Sequence, residues 1–410
     1  MKTLYIIIIL FAFHNLIAKE NNRQTAKLES LKQMLQQQKL IPSNGDHQDE
    51  FATSFSISGN QVIIGAPYAG SNDKEYFGTG LAYIYELISG TWQQKAVLMA
   101  DDATKRSRFG RTVAIDGNRA LVSATFKNIG SKGLVGKVYE FEKISGIWSQ
   151  VNTISATVLI NGQRFGSSIQ LSGDITYIAA LGEDNGSNSL VGSVYVLEKQ
   201  GNSWVETAHI VPDSIVDNSA FGNKIIVHNN LLYIASYGIG TIKGKVFVYE
   251  NQAGTWTKIH EIQATDVEAG DRFGYDISID GNNLLISSLN DSHTSPTALD
   301  AGSVYLFEYN NNSWTQTHKF IANDASDSDK FGYSVSINAN QILIGAPSDD
   351  DNGINTGSVY VYNFSNNQWN FLMKLHSVDN TEGGNYGNAI HQVGINSWIG
   401  SKGAEAFYLY

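Results

Sequence analysis

Four cations, Arg108, Arg164, Arg272 and Lys330, each stand immediately before a phenylalanine at widely separated points of the chain. Cationic groups gathered in one place can grip carboxylates and other oxyanions. The more ordinary alternative is pairing within each loop, as Asp271 beside Arg272 and Asp329 beside Lys330 would allow. Acids cluster too, at Asp101 and Asp102, Glu183 and Asp184, Asp324, Asp327 and Asp329, and Asp349, Asp350 and Asp351. The densest oxygen set contains Asp349, Asp351 and Asn355, and these are the weak candidates for a metal such as calcium. Their spacing matches no EF-hand-like pattern, and solvated loop carboxylates are the simpler reading. His209, His260, His318 and His376 follow tryptophans at different offsets and so build no ring of histidines. No Ser/His/Asp set, metal-ligand spacing or phosphate loop can be named, so no catalytic residue is assigned.

What positions these groups is a repeat. Phe-Gly occurs at Phe109, Phe165, Phe221, Phe273 and Phe331, with weaker forms at Phe51-Ala52 and Tyr386-Gly387, every 52 to 58 residues. A second marker, Gly-x-Val-aromatic, keeps pace at Gly136, Gly192, Gly244, Gly302 and Gly357, with variants at Gly80 and Gly403. A third is a tryptophan: Trp92, Trp148, Trp204, Trp256, Trp314 and Trp369. Between the markers, alternating and continuous apolar runs separated by Asn- and Gly-containing turns read as four short strands per unit. The sequence therefore predicts an all-β, seven-bladed β-propeller with four antiparallel strands per blade. Within such a frame the three markers are structural anchors. Each Phe would wedge between blades, its burial worth roughly 1.5 to 3 kcal/mol; the following Gly lets backbone approach closely, and each Trp would cover an outer edge.

Phe-Gly, strand ends reading Gly65-Ala66-Pro67 and Gly345-Ala346-Pro347, and Gly-Ser-Val-Tyr together resemble the FG-GAP repeat. That family forms the head of integrin α subunits and occurs in many bacterial secreted proteins; the bacterial type is the closer likeness. The resemblance implies a propeller and no particular activity. The integrin type carries acidic calcium loops between first and second strands. Here those turns are short, such as Asp116-Gly117-Asn118 and Asp280-Gly281-Asn282, so calcium binding does not carry over. No cofactor is expected.

Residues 1–18 read as a signal peptide, with an apolar run too short to span a bilayer. Residues 19–35 form a polar segment with leucines at helical spacing, and 36–410 the propeller, its repeats beginning near 51, 109, 165, 221, 273, 331 and 386. The last repeat ends after its third strand. A strand near 36–41 should supply the fourth and close the ring, removing open edges. The absence of cysteine excludes disulfides, thiolate sites and a lipoprotein anchor. A net charge of −11 argues against nucleic acid and anionic membranes as partners.

In each blade two kinds of loop, fourth strand to next blade and second strand to third, fall on one rim. They include the long segments 66–79, 125–135, 181–191, 288–301 and 347–356. Long loops on a rigid scaffold are where recognition concentrates. The expected ligand-rim residues are Asp327, Asp329, Asp349, Asp350, Asp351, Arg108, Arg164, Arg272 and Lys330. The function expected is a secreted, periplasmic or cell-surface recognition or adhesion propeller, monomeric and non-catalytic, binding a protein or glycan. Two other classes stay open: a hydrolase or lyase with a site at the channel mouth, and a structural component of envelope assembly.

Overall fold

In the computed structural model, residues 38–45, 48–70, 78–184, 189–213, 217–294 and 297–410 are described. The leader, the polar segment and residues 36–37 of the expected closing strand lie outside them. Seven four-stranded antiparallel sheets follow one another. Blade 2 shows the pattern: Phe109–Asp116 is innermost, then Arg119–Ala124, Lys137–Ile144 and Ile147–Ile154. A small extra hairpin, His293–Thr294 with Thr297–Ala298, decorates the long loop of blade 5. No helix among the described residues is long and apolar enough to cross a membrane.

Closure occurs as the missing fourth strand requires. Gln38–Leu40 pairs antiparallel with Ala406–Leu409, setting Lys39 opposite Tyr408. Glu405 seals the same seam, its two carboxylate oxygens accepting the backbone N–H groups of Glu50 and Phe51 at 2.8 Å each.

The apolar clusters span pairs of blades. Ile63 and Ile84 of blade 1, for example, pack with Phe109, Val122 and Tyr139 of blade 2. Each anchor ring meets the third-strand aromatic of its own blade, mostly edge to face: Phe109 and Tyr139 at 5.5 Å, Phe331 and Tyr360 at 5.1 Å, Tyr386 and Tyr408 at 5.5 Å. Phe165, Phe221 and Phe273 are likewise fully buried. The tryptophans lean into the seams instead of lying over an outer edge. Trp92 packs against Trp398, Trp256 against Tyr177 and Trp314 against Tyr233, in each case on the second strand of the preceding blade. Trp148, Trp204 and Trp369 pack on the corresponding two-blade clusters. Blades arranged radially fan apart toward the outside, and a large ring fills the widening gap.

The small polar residues of the inner strands bond from blade to blade. Thr112 donates its hydroxyl to the Gly166 carbonyl and Ser334 to that of Gly387, while Asn388 donates to the Ala52 carbonyl across the closing seam.

Candidate functional site

The four cations before the anchor phenylalanines occupy one structural position, repeated around the ring. The residue there is left-handed in all seven blades: φ is 54° at Glu50, 56° at Arg108, 55° at Arg164, 52° at Ala220, 58° at Arg272, 62° at Lys330 and 54° at Asn385. The cause is a tight turn. Its carbonyl accepts the N–H three residues on, as Arg108 does from Arg111 at 3.1 Å, and the glycine of Phe-Gly takes the positive φ that the turn's third position demands, 87° at Gly110. The Phe N–H then bonds to the long loop of the preceding blade: Phe109 to the Thr79 carbonyl at 3.1 Å, Phe331 to that of Ala301 at 2.7 Å. Both loop types therefore share one rim, and the long loops ahead of Phe109, Phe165, Phe221, Phe331 and Tyr386 are tied to the next blade by this bond.

A left-handed conformation is unfavourable for a side-chain-bearing residue by about 1–2 kcal/mol. Arginine holds it at three positions, and here rings receive the side chains. The Arg108 guanidinium lies 3.9 Å from the centre of Phe126 and 5.1 Å from that of Tyr68; Arg164 lies 5.7 Å from the centre of Phe126. Arg272 is 5.9 Å from Tyr237, and a row of rings continues from Tyr237 to Tyr275 at 6.0 Å and from Tyr275 to Tyr333 at 5.3 Å. Burial holds Arg108 below the usual arginine range, and the like charges of Arg111 and Arg164 push the same way. Burial pushes the Tyr275 hydroxyl up, Tyr333 adds to it, and Arg111 opposes it, so Arg111 stands near this row. Among the described residues Arg108, Arg111, Arg164 and Arg272 make no ion pair, and the buried Nε of Arg164 has no hydrogen-bond partner.

The pairing expected within each loop does not form. The Asp271 carboxylate turns back to accept the Glu268 N–H at 2.7 Å, and Asp329 accepts the Ser326 N–H at 2.7 Å. Lys330 instead donates to the Asn290 side chain at 3.1 Å, with Asp300 at 4.0 Å.

The expected acidic rim residues are mostly engaged within the protein. Asp349 is buried, accepting from the Tyr360 hydroxyl at 2.9 Å and pairing with Lys374 at 2.6 Å. Lys374 also pairs with Asp351 at 2.5 Å and Asp324 at 2.9 Å, and Asp324 accepts a second bond from Tyr360 at 2.8 Å. Asp327 caps the Leu299 N–H at 2.7 Å. Burial pushes the Asp329 carboxyl up to about 6, with the charges of Asp349 and Asp350 adding. Asp350 alone of the set is exposed with its carboxylate in no hydrogen bond or ion pair among the described residues, and Asn355 serves through its carbonyl, which accepts the Asn385 N–H at 3.0 Å. Asp349, Asp351 and Asn355 thus converge on a lysine and a backbone amide, not on a common point where a cation would sit.

This arrangement is a second repeat, missed in the sequence. Blade 5 has Lys319 between Asp266 at 2.7 Å and Asp291 at 2.8 Å, beside Tyr305. The closing blade has Lys39 on Asp379 at 2.7 Å, which also accepts from Tyr408 at 2.5 Å. The signal was a lysine five residues after Trp314 and Trp369.

FG-GAP repeats match residues 34–85, 92–141, 256–307 and 314–362, each segment running from an outer strand through the first three strands of the next blade. The chain is an FG-GAP repeat β-propeller. No curated protein matches its sequence. Among solved structures it is similar to the periplasmic gluconolactonase of Pseudomonas aeruginosa, with a TM-score of 0.53 and 13% identity over 79% of this chain and 85% of that one. At that identity the likeness is one of fold.

Four blades of this FG-GAP propeller depart from the lysine pattern, with Val97, Thr153, His209 and Glu261 at that position. In blade 3, His209 takes the lysine's place, stacked on Tyr195 at 4.2 Å and 3.2 Å from Glu183. Beside it lies a cavity of about 360 Å³ bordered by Glu183, Tyr195, Glu206 and His209. Among the described residues no group of three or more His, Asp or Glu is placed to hold a metal ion.

Proposed function

We propose that this propeller is a non-catalytic recognition protein, working in an extracellular or periplasmic setting, that binds a protein or glycan through the long-loop rim around its channel mouth. The observation that carries this reading is the group of Arg108, Arg111, Arg164 and Arg272, which make no ion pair among the described residues of a chain whose net charge is −11. Acids outnumber bases in this protein, and most lysines around the rim are neutralised by them. Like charges left clustered and partly desolvated are unfavourable in the free protein, and an incoming ligand that supplies the missing charge relieves that. The rim also has the stiffness recognition needs, since the long loops ahead of Phe109, Phe165, Phe221, Phe331 and Tyr386 are bonded to the next blade.

The test is a pull-down from the native extracellular or periplasmic fraction, comparing wild type with Arg164→Asn/Arg272→Asn. A partner retained by the wild type and lost by the variant is the expected result. Equal retention by both would remove the arginine mouth from recognition.

A further inference from the structure

We infer that the ligand of this mouth is an acidic polysaccharide, a chain of sugar rings bearing carboxylates, held by arginines at its charges and by tyrosines at its rings. This rests on the rim-recognition reading above and names its chemistry. Two features of different kind lie side by side. On one side, Arg108 and Arg164 both lie by Phe126, at 3.9 and 5.7 Å from its ring centre. A guanidinium stacked by its face on a ring keeps its N–H donors, which lie in the plane of the group, for bidentate contact with a carboxylate. The Nε of Arg164 is buried and has no hydrogen-bond partner among the described residues. On the other flank, Tyr237, Tyr275 and Tyr333 succeed one another at 6.0 and 5.3 Å with tilted planes. Aromatic faces present apolar, slightly negative surfaces, which complement the C–H face of a pyranose. Arg111 and Arg272 join the two flanks, Arg272 lying 5.9 Å from Tyr237.

An acidic peptide would use the arginines and has no chemical need of a tyrosine row. A neutral glycan would use the tyrosines and leave the cations unmatched. Only a ligand with both a ring face and a carboxylate uses the whole mouth. The overall negative charge does not forbid it, because the nearby acids of blade 6 are screened by Lys374 and fields of exposed charges fade over about 10 Å at ordinary salt.

The test is isothermal titration of the whole protein with three probes of matched length: an oligogalacturonate, a neutral oligoglucan and a poly-glutamate peptide. Oligogalacturonate is expected to bind, to weaken at least tenfold in Arg164→Asn, and to weaken separately in Tyr275→Leu; the other two probes are expected to bind at least tenfold more weakly. Asparagine is well suited to a left-handed backbone, so the arginine variant keeps the fold, which thermal melting verifies. Poly-glutamate binding as tightly, with the same Arg164 dependence and no Tyr275 dependence, would overturn the sugar assignment while leaving rim recognition standing. Absence of arginine-dependent binding to any probe would overturn the inference too, and the pull-down above then decides independently whether the rim recognises anything.

Discussion

The two rims of the propeller are built by one repeat and treat polar side chains in opposite ways. On the hairpin rim, the residue ending an inner strand reaches the turn of the next blade. Asp116 accepts the Gly173 N–H at 2.8 Å, Asp280 the Ala339 N–H at 2.6 Å and Ser58 the Gly117 N–H at 3.0 Å, while Asn338 donates to the Gly394 carbonyl at 2.6 Å. These are the turns where calcium loops would sit in the integrin type, and here their acids lace blade to blade. On the long-loop rim, acids and lysines also satisfy one another, but among the described residues Arg108, Arg111, Arg164 and Arg272 make no ion pair. A group matched inside the protein is structural, and a group left unmatched at cost is available for a ligand. That rule can be broken by experiment.

The largest effect should come from Lys374→Met. It would strand Asp349, which is 2% exposed, together with Asp324 and Asp351. Removing one partner of a buried ionic set costs about 3–5 kcal/mol, measurable by urea unfolding at pH 7. Burial opposes ionisation of Asp324, but Lys374 and Tyr360 hold its carboxyl below the usual range on balance. A lowered folded pKa contributes stability that is present above the unfolded value and lost as pH falls through the folded one. The penalty of the variant should therefore shrink below about pH 4; a penalty unchanged down to pH 3 would refute the ionic account.

Next comes Glu405→Gln at the closing seam. An amide cannot reproduce two acceptors facing the N–H groups of Glu50 and Phe51, and the loss should be about 1.5–3 kcal/mol. Burial raises the Glu405 carboxyl to about 7. The sign is then opposite to that of Asp324: its titration favours the folded state fully below pH 4.5, and this contribution is lost as pH rises through about 7. The stability of wild type relative to the variant should decline across that interval, and a rise would contradict the assignment.

Smaller is Asp280→Ala on the hairpin rim, which removes one inter-blade bond for about 1 kcal/mol and, by the same rule, changes no ligand binding. Smallest in stability is Arg164→Asn. Relief of a left-handed arginine should leave the melting temperature unchanged or raised, while binding is lost.

Much of this architecture was written in short motifs. Phe-Gly, Gly-x-Val-aromatic and Trp recur because each fills the same contact in successive blades, and the missing last strand implied closure by the N-terminal one. The Asp–Tyr–Lys sets escaped because Asp324, Asp349, Tyr360 and Lys374 lie on four separate elements. The left-handed position escaped for another reason: Glu50, Arg108, Ala220, Lys330 and Asn385 share a backbone state and no side-chain chemistry. Adjacency in sequence misled for Asp271 and Asp329, since a carboxylate one residue from a cation was closer still to an amide of its own turn. The mouth itself could not be assembled from sequence, because Phe126 and Tyr237 come from long loops whose direction only the fold sets.

The most direct test is one protein measured two ways: Arg164→Asn/Arg272→Asn, followed by thermal melting and by titration with the oligogalacturonate. The account predicts a melting temperature at or above that of wild type together with binding weakened at least tenfold. A lowered melting temperature with binding intact would show that the arginines hold the fold together, and would contradict a rim kept for a ligand.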